Sequence, residues 1–106
     1  MIKKKICNLS QLESKNYFKS WVKEFKDEII VFKDNEKIYV KSSICPHFGG
    51  PIVYDQNRKF LYCHWHGLRF STDGKCLNQK NFKACLNSYI YKIVNNSIYI
   101  FKNENS

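Results

Sequence analysis

Apolar residues along this chain fall in short runs that alternate with polar ones and are broken by polar turns, the pattern of half-buried strands. Lys3 to Asn8 predicts a first strand and Tyr17 to Phe25 a second. Glu28 to Lys33 leads through Asp34-Asn35-Glu36 into Lys37 to Lys41, which reads as a hairpin. Pro51 to Tyr54 and Lys59 to Tyr62 predict two more strands on either side of the polar turn Asp55-Gln56-Asn57-Arg58. Asp73-Gly74 is a further turn, and residues 75 to 86 are the least regular stretch. Ser88 to Val94 and Ser97 to Lys102 form a closing hairpin about Asn95-Asn96, whose side chains tolerate left-handed backbone, and the tail Asn103 to Ser106 is expected to fray. The expected fold is all-β.

Composition agrees with this pattern. A chain of 106 residues suits one domain, residues 1–106, burying about two thirds of its unfolded surface. Aromatic residues make up 16% and, with abundant isoleucine, favour strands. Only two prolines and four glycines argue against a disordered or fibrous chain, and there is no repeat, linker or low-complexity tract. Met1-Ile2-Lys3-Lys4-Lys5-Ile6-Cys7-Asn8 carries charges without the apolar stretch of a secretory signal. No segment approaches the roughly eighteen apolar residues of a membrane span, so a soluble, cytoplasmic protein with no membrane partner is expected. The formal charge of +9 is mostly scattered lysine; with no basic stripe and no binding motif, nucleic acid is not an expected partner.

Two runs carry the chemistry. Cys45-Pro46-His47 and Cys63-His64-Trp65-His66 set one thiolate and one imidazole each on a short loop. Neither pair completes a four-ligand site, so the stretch between them must fold back to bring the loops together. Pro46 stiffens the first loop, while Gly49, Gly50 and Gly67 let the backbone turn and approach a ligand without a Cβ clash. A structural zinc ion is one occupant, although zinc sites usually pair cysteines with cysteines and histidines with histidines. Two irons bridged by sulfide are the other, with both cysteines on one iron and both histidines on its partner. Cys7, Cys76 and Cys85 remain, an odd set expected as reduced buried thiols, with a Cys76–Cys85 disulfide as the alternative.

From Cys45-Pro46-His47-Phe48-Gly49-Gly50-Pro51 to Cys63-His64-Trp65-His66-Gly67-Leu68-Arg69-Phe70 the chain resembles the Rieske family, whose signature is a C-x-H followed by a C-x-x-H. The resemblance implies an antiparallel β-sandwich or incomplete barrel with a small cluster-binding subdomain, about residues 43–70. It implies one Rieske-type 2Fe-2S cluster, with Cys45 and Cys63 on the inner iron and His47 and His66 on the outer one. Pro46, Gly49, Gly50, Trp65 and Gly67 would shape the loops around it, and Phe48, His64 and Leu68 would form a docking surface for partners. His64 is otherwise an ordinary exposed loop residue.

The same resemblance separates roles. Oxygenase large subunits of the family add a catalytic domain with a mononuclear iron held by two histidines and a carboxylate, and here only His64 is left over. Quinol-oxidising members have a membrane anchor and a disulfide between the cluster loops, at positions that are Gly50 and Trp65 in this chain. The remaining type is the soluble Rieske ferredoxin, a one-electron carrier between a flavin-dependent reductase and a terminal oxygenase or other oxidoreductase, and not itself an enzyme. Alternatives are a redox-sensing or accessory iron-sulfur subunit and a zinc-stabilised interaction module. High-potential members carry hydroxyl donors where this chain has Leu68 and Phe70, which implies a potential in the lower part of the family range.

Overall fold

The computed structural model describes residues 1–13, 15–45, 49–65, 67–77 and 86–102. Among these residues there are nine strands and two short 3-10 turns, Leu9–Leu12 and Lys23–Phe25, and no α-helix. The strands are β1 (Ile2–Asn8), β2 (Tyr17–Val22), β3 (Asp27–Asp34), β4 (Lys37–Ser42), β5 (Ile52–Asp55), β6 (Phe60–Cys63), β7 (Arg69–Phe70), β8 (Ile90–Val94) and β9 (Ser97–Lys102). They form three antiparallel sheets, ordered β1-β9-β8, β2-β3-β4 and β5-β6-β7. The all-β expectation holds, with differences of detail; the turn expected at Asp55-Gln56-Asn57-Arg58 is shifted by one, Asp55 ending β5 and Lys59 closing the turn before β6. The second strand ends at Val22, because Lys23–Phe25 curls into a turn closed by left-handed Lys26 (φ +52°). The strand after residue 88 starts two residues late, because Ser88 bridges to Lys41 and the Tyr89 amide donates to the Val40 carbonyl of β4 (3.0 Å). Arg69–Phe70, not expected as a strand, pairs with β6.

Sheet β2-β3-β4 is the middle layer. In β3 the run Ile29-Ile30-Val31-Phe32 does not alternate, and all four residues are 0% exposed. Side chains of successive strand residues point to opposite faces, so such a run means both faces are covered. Ile29 and Val31 pack with Ile6, Leu12, Val22, Phe25, Ile38, Val40, Ile98 and Ile100 against the first sheet. Ile30 and Phe32 pack on the other side with Ile52, Leu61, Phe70 and the two motif cysteines. Each such side chain contributes about 1.5–3 kcal/mol by leaving water.

The first two sheets make an incomplete barrel. β4 hydrogen-bonds to Asn87, Ser88 and Tyr89, but β8 then diverges, and the Tyr91 hydroxyl reaches back to the Ile38 carbonyl (2.9 Å). A register shift between Lys5 and Cys7 turns two successive residues of β1, Ile6 and Cys7, inward. Burial pushes the Cys7 thiol up to about 11 against the opposing pull of Lys5, which fits the buried reduced thiol expected there. Cys76 is half-buried beside Phe70, and Cys85 lies outside the described residues, as does the tail expected to fray.

Candidate metal centre

The third sheet carries both motif cysteines. β5 and β6 pair from Ile52↔Cys63 to Asp55↔Phe60, and Ile44 bridges to Pro51 just outside β5. Their connecting turn holds four residues, Gln56 to Lys59; the Lys59 amide donates to the Asp55 carbonyl (2.8 Å) and Lys59 is left-handed (φ +61°). The loops after the two cysteines close in the same way. The Gly49 amide donates to the Cys45 carbonyl (2.8 Å) and the Gly67 amide to the Cys63 carbonyl (2.9 Å). The Cys45 amide donates to the Gly50 carbonyl (2.8 Å) and the Cys63 amide to the Leu68 carbonyl (2.7 Å). Each is thus a four-residue hairpin loop whose last residue is left-handed, Gly49 at φ +73° and Gly67 at φ +69°. Glycine takes that conformation without the strain a side chain brings, so these two glycines are needed for the turn itself.

A third glycine has a different role. A Cβ on Gly50 would stand 2.9 Å from Trp65 Cδ2 and 3.0 Å from Cys63 Sγ, so here the first loop's backbone lies directly against the second loop. Cys45 and Cys63 are both buried, at 2% and 0% exposed, while Trp65, at 62% exposed, lies over Gly50 with its outer face in solvent. The wall behind the thiols is apolar: Ile30, Phe32, Ile52, Leu61, Leu68 and Phe70 belong to the same cluster. Among the described residues no three His, Cys, Asp or Glu side chains stand together, and both candidate imidazoles, His47 and His66, lie outside the described residues with Pro46 and Phe48.

His64 is exposed, as expected of a loop residue. Leu68 corrects the expected docking surface. It is 5% exposed and packed in the core, because Leu68-Arg69-Phe70 alternates inward, outward, inward as the chain enters β7. That alternation is present in the sequence, where proximity to the motif obscured it.

The neck of the cysteine hairpin is held by residues the motif reading missed. The Ile52 amide donates to the Ser43 carbonyl (2.8 Å), and the Ser43 amide to the Glu28 carbonyl (2.7 Å). Ser43 Oγ donates to Glu28 Oε1 (2.7 Å), and Lys19 Nζ, 3.2 Å from that same oxygen, donates to the Ile52 carbonyl (2.8 Å). The Ser43 hydroxyl, with help from Lys19, holds the Glu28 carboxyl below the usual carboxylate range despite its partial burial. Beside it, buried Asp27 accepts from Ser42 Oγ (2.8 Å) and from the Tyr89 hydroxyl, whose ionisation is pushed up by burial and by that carboxylate. No local periodicity marks these partners, which meet only when β2, β3 and the neck fold together.

Two buried thiols on equivalent loops that meet at Gly50, where only a residue without a side chain fits against Cys63 Sγ and Trp65, suit a compact thiolate-held group. The Rieske [2Fe-2S] domain matches residues 3–95 of the chain. No curated protein matches it. Among solved structures, the cyanobacterial plasma membrane Rieske protein of Synechocystis PCC 6803 is similar, with a TM-score of 0.79 at 20% identity, over 93% of this chain and 99% of that one. The ferredoxin of carbazole 1,9a-dioxygenase from Nocardioides aromaticivorans has a TM-score of 0.74 at 19% identity, over 94% and 97% of the two chains. A protein assigned as the small subunit of an NADH-dependent nitrite reductase from Mycobacterium tuberculosis has a TM-score of 0.66 at 13% identity, over 93% of each. With the signature loops, the sheet arrangement and the domain match in agreement, the chain belongs to the Rieske family, whose domain holds one Rieske-type 2Fe-2S cluster.

Proposed function

We propose that this protein is a soluble one-electron carrier in which Cys45 and Cys63 hold one iron and His47 and His66 the other, and that it takes electrons from a flavin-dependent reductase and passes them to a terminal oxygenase or other oxidoreductase. The observation that carries the ligand assignment is the equivalence of the two loops, each buried cysteine followed by the same turn and by a left-handed glycine. Within that turn His47 occupies the second loop position and His66 the third, which accounts for the unequal C-x-H and C-x-x-H spacings. When bound, the cluster supplies reversible storage of one electron. The chain supplies the rest. Gly49 and Gly67 turn the loops, Gly50 lets them meet, Trp65 covers the junction, and Leu68 and Phe70 back it with apolar surface and no hydroxyl donor. The subdomain about residues 43–70 acts as the cluster-bearing end of a single domain spanning residues 1–106.

An oxygenase partner is favoured by the likeness to a dioxygenase ferredoxin over nearly the full length of both chains. Among the described residues no helix is long and apolar enough to cross a membrane; that the carrier works in the cytoplasm is part of this proposal. A second reading, an accessory iron-sulfur subunit of a larger reductase, draws on the likeness to nitrite reductase small subunits. Anaerobic purification tests the core of the assignment. A red-brown protein with about two irons and two acid-labile sulfides per chain is expected, together with an anisotropic paramagnetic resonance spectrum after reduction. His66→Ala should abolish the cluster and His64→Ala should leave it assembled. A colourless protein with one zinc would overturn the assignment, and stable co-purification with a reductase large subunit would favour the accessory reading over the mobile carrier.

A further inference from the structure

Ile52 and Cys63 face each other across β5 and β6, while the next pair outward is joined by the His64 amide donating to the Pro51 carbonyl (3.0 Å). In an antiparallel ladder hydrogen-bonded and non-hydrogen-bonded pairs alternate, so both backbone polar groups of Ile52 point away from β6. Ile52 is 0% exposed, and an orphaned carbonyl there would be costly. Its amide is taken by Ser43 and its carbonyl by the Lys19 ammonium, which Glu28 in turn holds while also binding Ser43 through both backbone and side chain. One ion pair therefore fixes both ends of the segment Ser43–Ile52 that carries Cys45, and its cation stands one hydrogen bond and one strand spacing from the Cys63 backbone.

We infer that Lys19 and Glu28 are a positioning pair for the metal centre: they clamp the neck of the cysteine hairpin and set the balance of charge beside it. The inference rests on the cluster-bearing reading above and adds to it the origin of the site's rigidity and part of its electrostatic tuning. A positive charge near a redox centre favours the reduced form and a negative charge the oxidised form. Removing one partner leaves the other uncompensated, so the two deletions have opposite signs.

Voltammetry at neutral pH on the iron-loaded wild type, Lys19→Met, Glu28→Gln and the double variant reads the charge balance. Lys19→Met should lower the midpoint, Glu28→Gln should raise it, and the double variant should return most of the way to wild type. Shifts of the same sign in both single variants, or no shift in either, would refute the charge role. Amide hydrogen exchange on each protein as purified reads the clamp independently of metal content. Exchange at the Ile52 amide should rise about tenfold or more in Lys19→Met, since a charge-assisted hydrogen bond is lost, and stay unchanged in Lys23→Met, an exposed control. Unchanged exchange in Lys19→Met would refute the clamp. Ser43→Ala, which keeps both charges, should speed exchange and leave the midpoint nearly where it was; a midpoint shift as large as that of Glu28→Gln would overturn the division of roles. A wild type without iron would defeat the electron-carrier reading alone, the exchange measurement still deciding the clamp.

Discussion

Single residues in this protein are constrained most tightly where the two cysteine loops touch. Gly50 has Trp65 carbons at 2.9 and 3.0 Å and Cys63 Sγ at 3.0 Å from where a Cβ would be, and the sulfur, in a buried residue, has less room to yield than the exposed indole. Gly50→Ala should destabilise the protein by about 1–3 kcal/mol, the range for overpacking, and lower iron content per chain. In a Trp65→Ala background the stability penalty should shrink, because two of the three closest atoms are gone; urea unfolding of the four proteins measures it, and an undiminished penalty would place the whole clash on Cys63. Leu68 offers the converse test. Packed in the core beside Phe70, it should cost about 2–5 kcal/mol on truncation to alanine. Chemical denaturation checks this, and a loss below about 1 kcal/mol would return Leu68 to the surface role first expected of it.

At the scale of elements, hairpin turns explain much of the fold. Asn35-Glu36 and Asn95-Asn96 are two-residue connections with both residues left-handed, as antiparallel strands of ordinary twist prefer. Asparagine tolerates that backbone, but Glu36, at φ +69°, pays strain that its exposed pairing with Lys33 offsets only weakly. Glu36→Gly should therefore stabilise the protein by about 0.5–1 kcal/mol, the relief of strain outweighing the added freedom of the unfolded chain. A raised denaturation midpoint with an unchanged slope is the expected result, and a lowered midpoint would mean the ion pair matters more than the backbone. The existence of β2 and β4 was legible in sequence, and so were both turns. The unbroken apolar run of β3 signals that both faces are covered, but not by which sheets.

For the whole molecule, charge and the setting of the metal centre make two predictions. If the net +9 guides encounter with an acidic partner, the electron-transfer rate should fall as salt rises, since the Debye length shrinks to about 8 Å near physiological ionic strength. A rate flat in salt, measured by stopped-flow, would make the charge a matter of composition. The potential should lie in the lower half of the family span of roughly −150 to +300 mV, because Leu68 and Phe70, buried in the wall behind the cysteines, have no hydroxyl to offer the sulfurs. Voltammetry decides, and a midpoint above about +150 mV, in the upper half of that span, would overturn the reasoning from those two side chains.

Local chemistry alone determined most of the strands, the hairpin turns and the turn glycines of the two cysteine loops, because each depends on neighbours within a few residues: alternating polarity, asparagines at the hairpins, a glycine four places after each cysteine. It could also separate iron from zinc in expectation, since ligand order is written along the chain. Tertiary structure decided what depends on long-range packing. Leu68 turned inward because β7 lies against β6, β3 became a central strand because two sheets close on it, and Lys19, Glu28 and Ser43 met at the neck although the chain separates them. A period of two says that a side chain has a face; only the neighbouring sheet says whether that face meets water, an ion partner or the core.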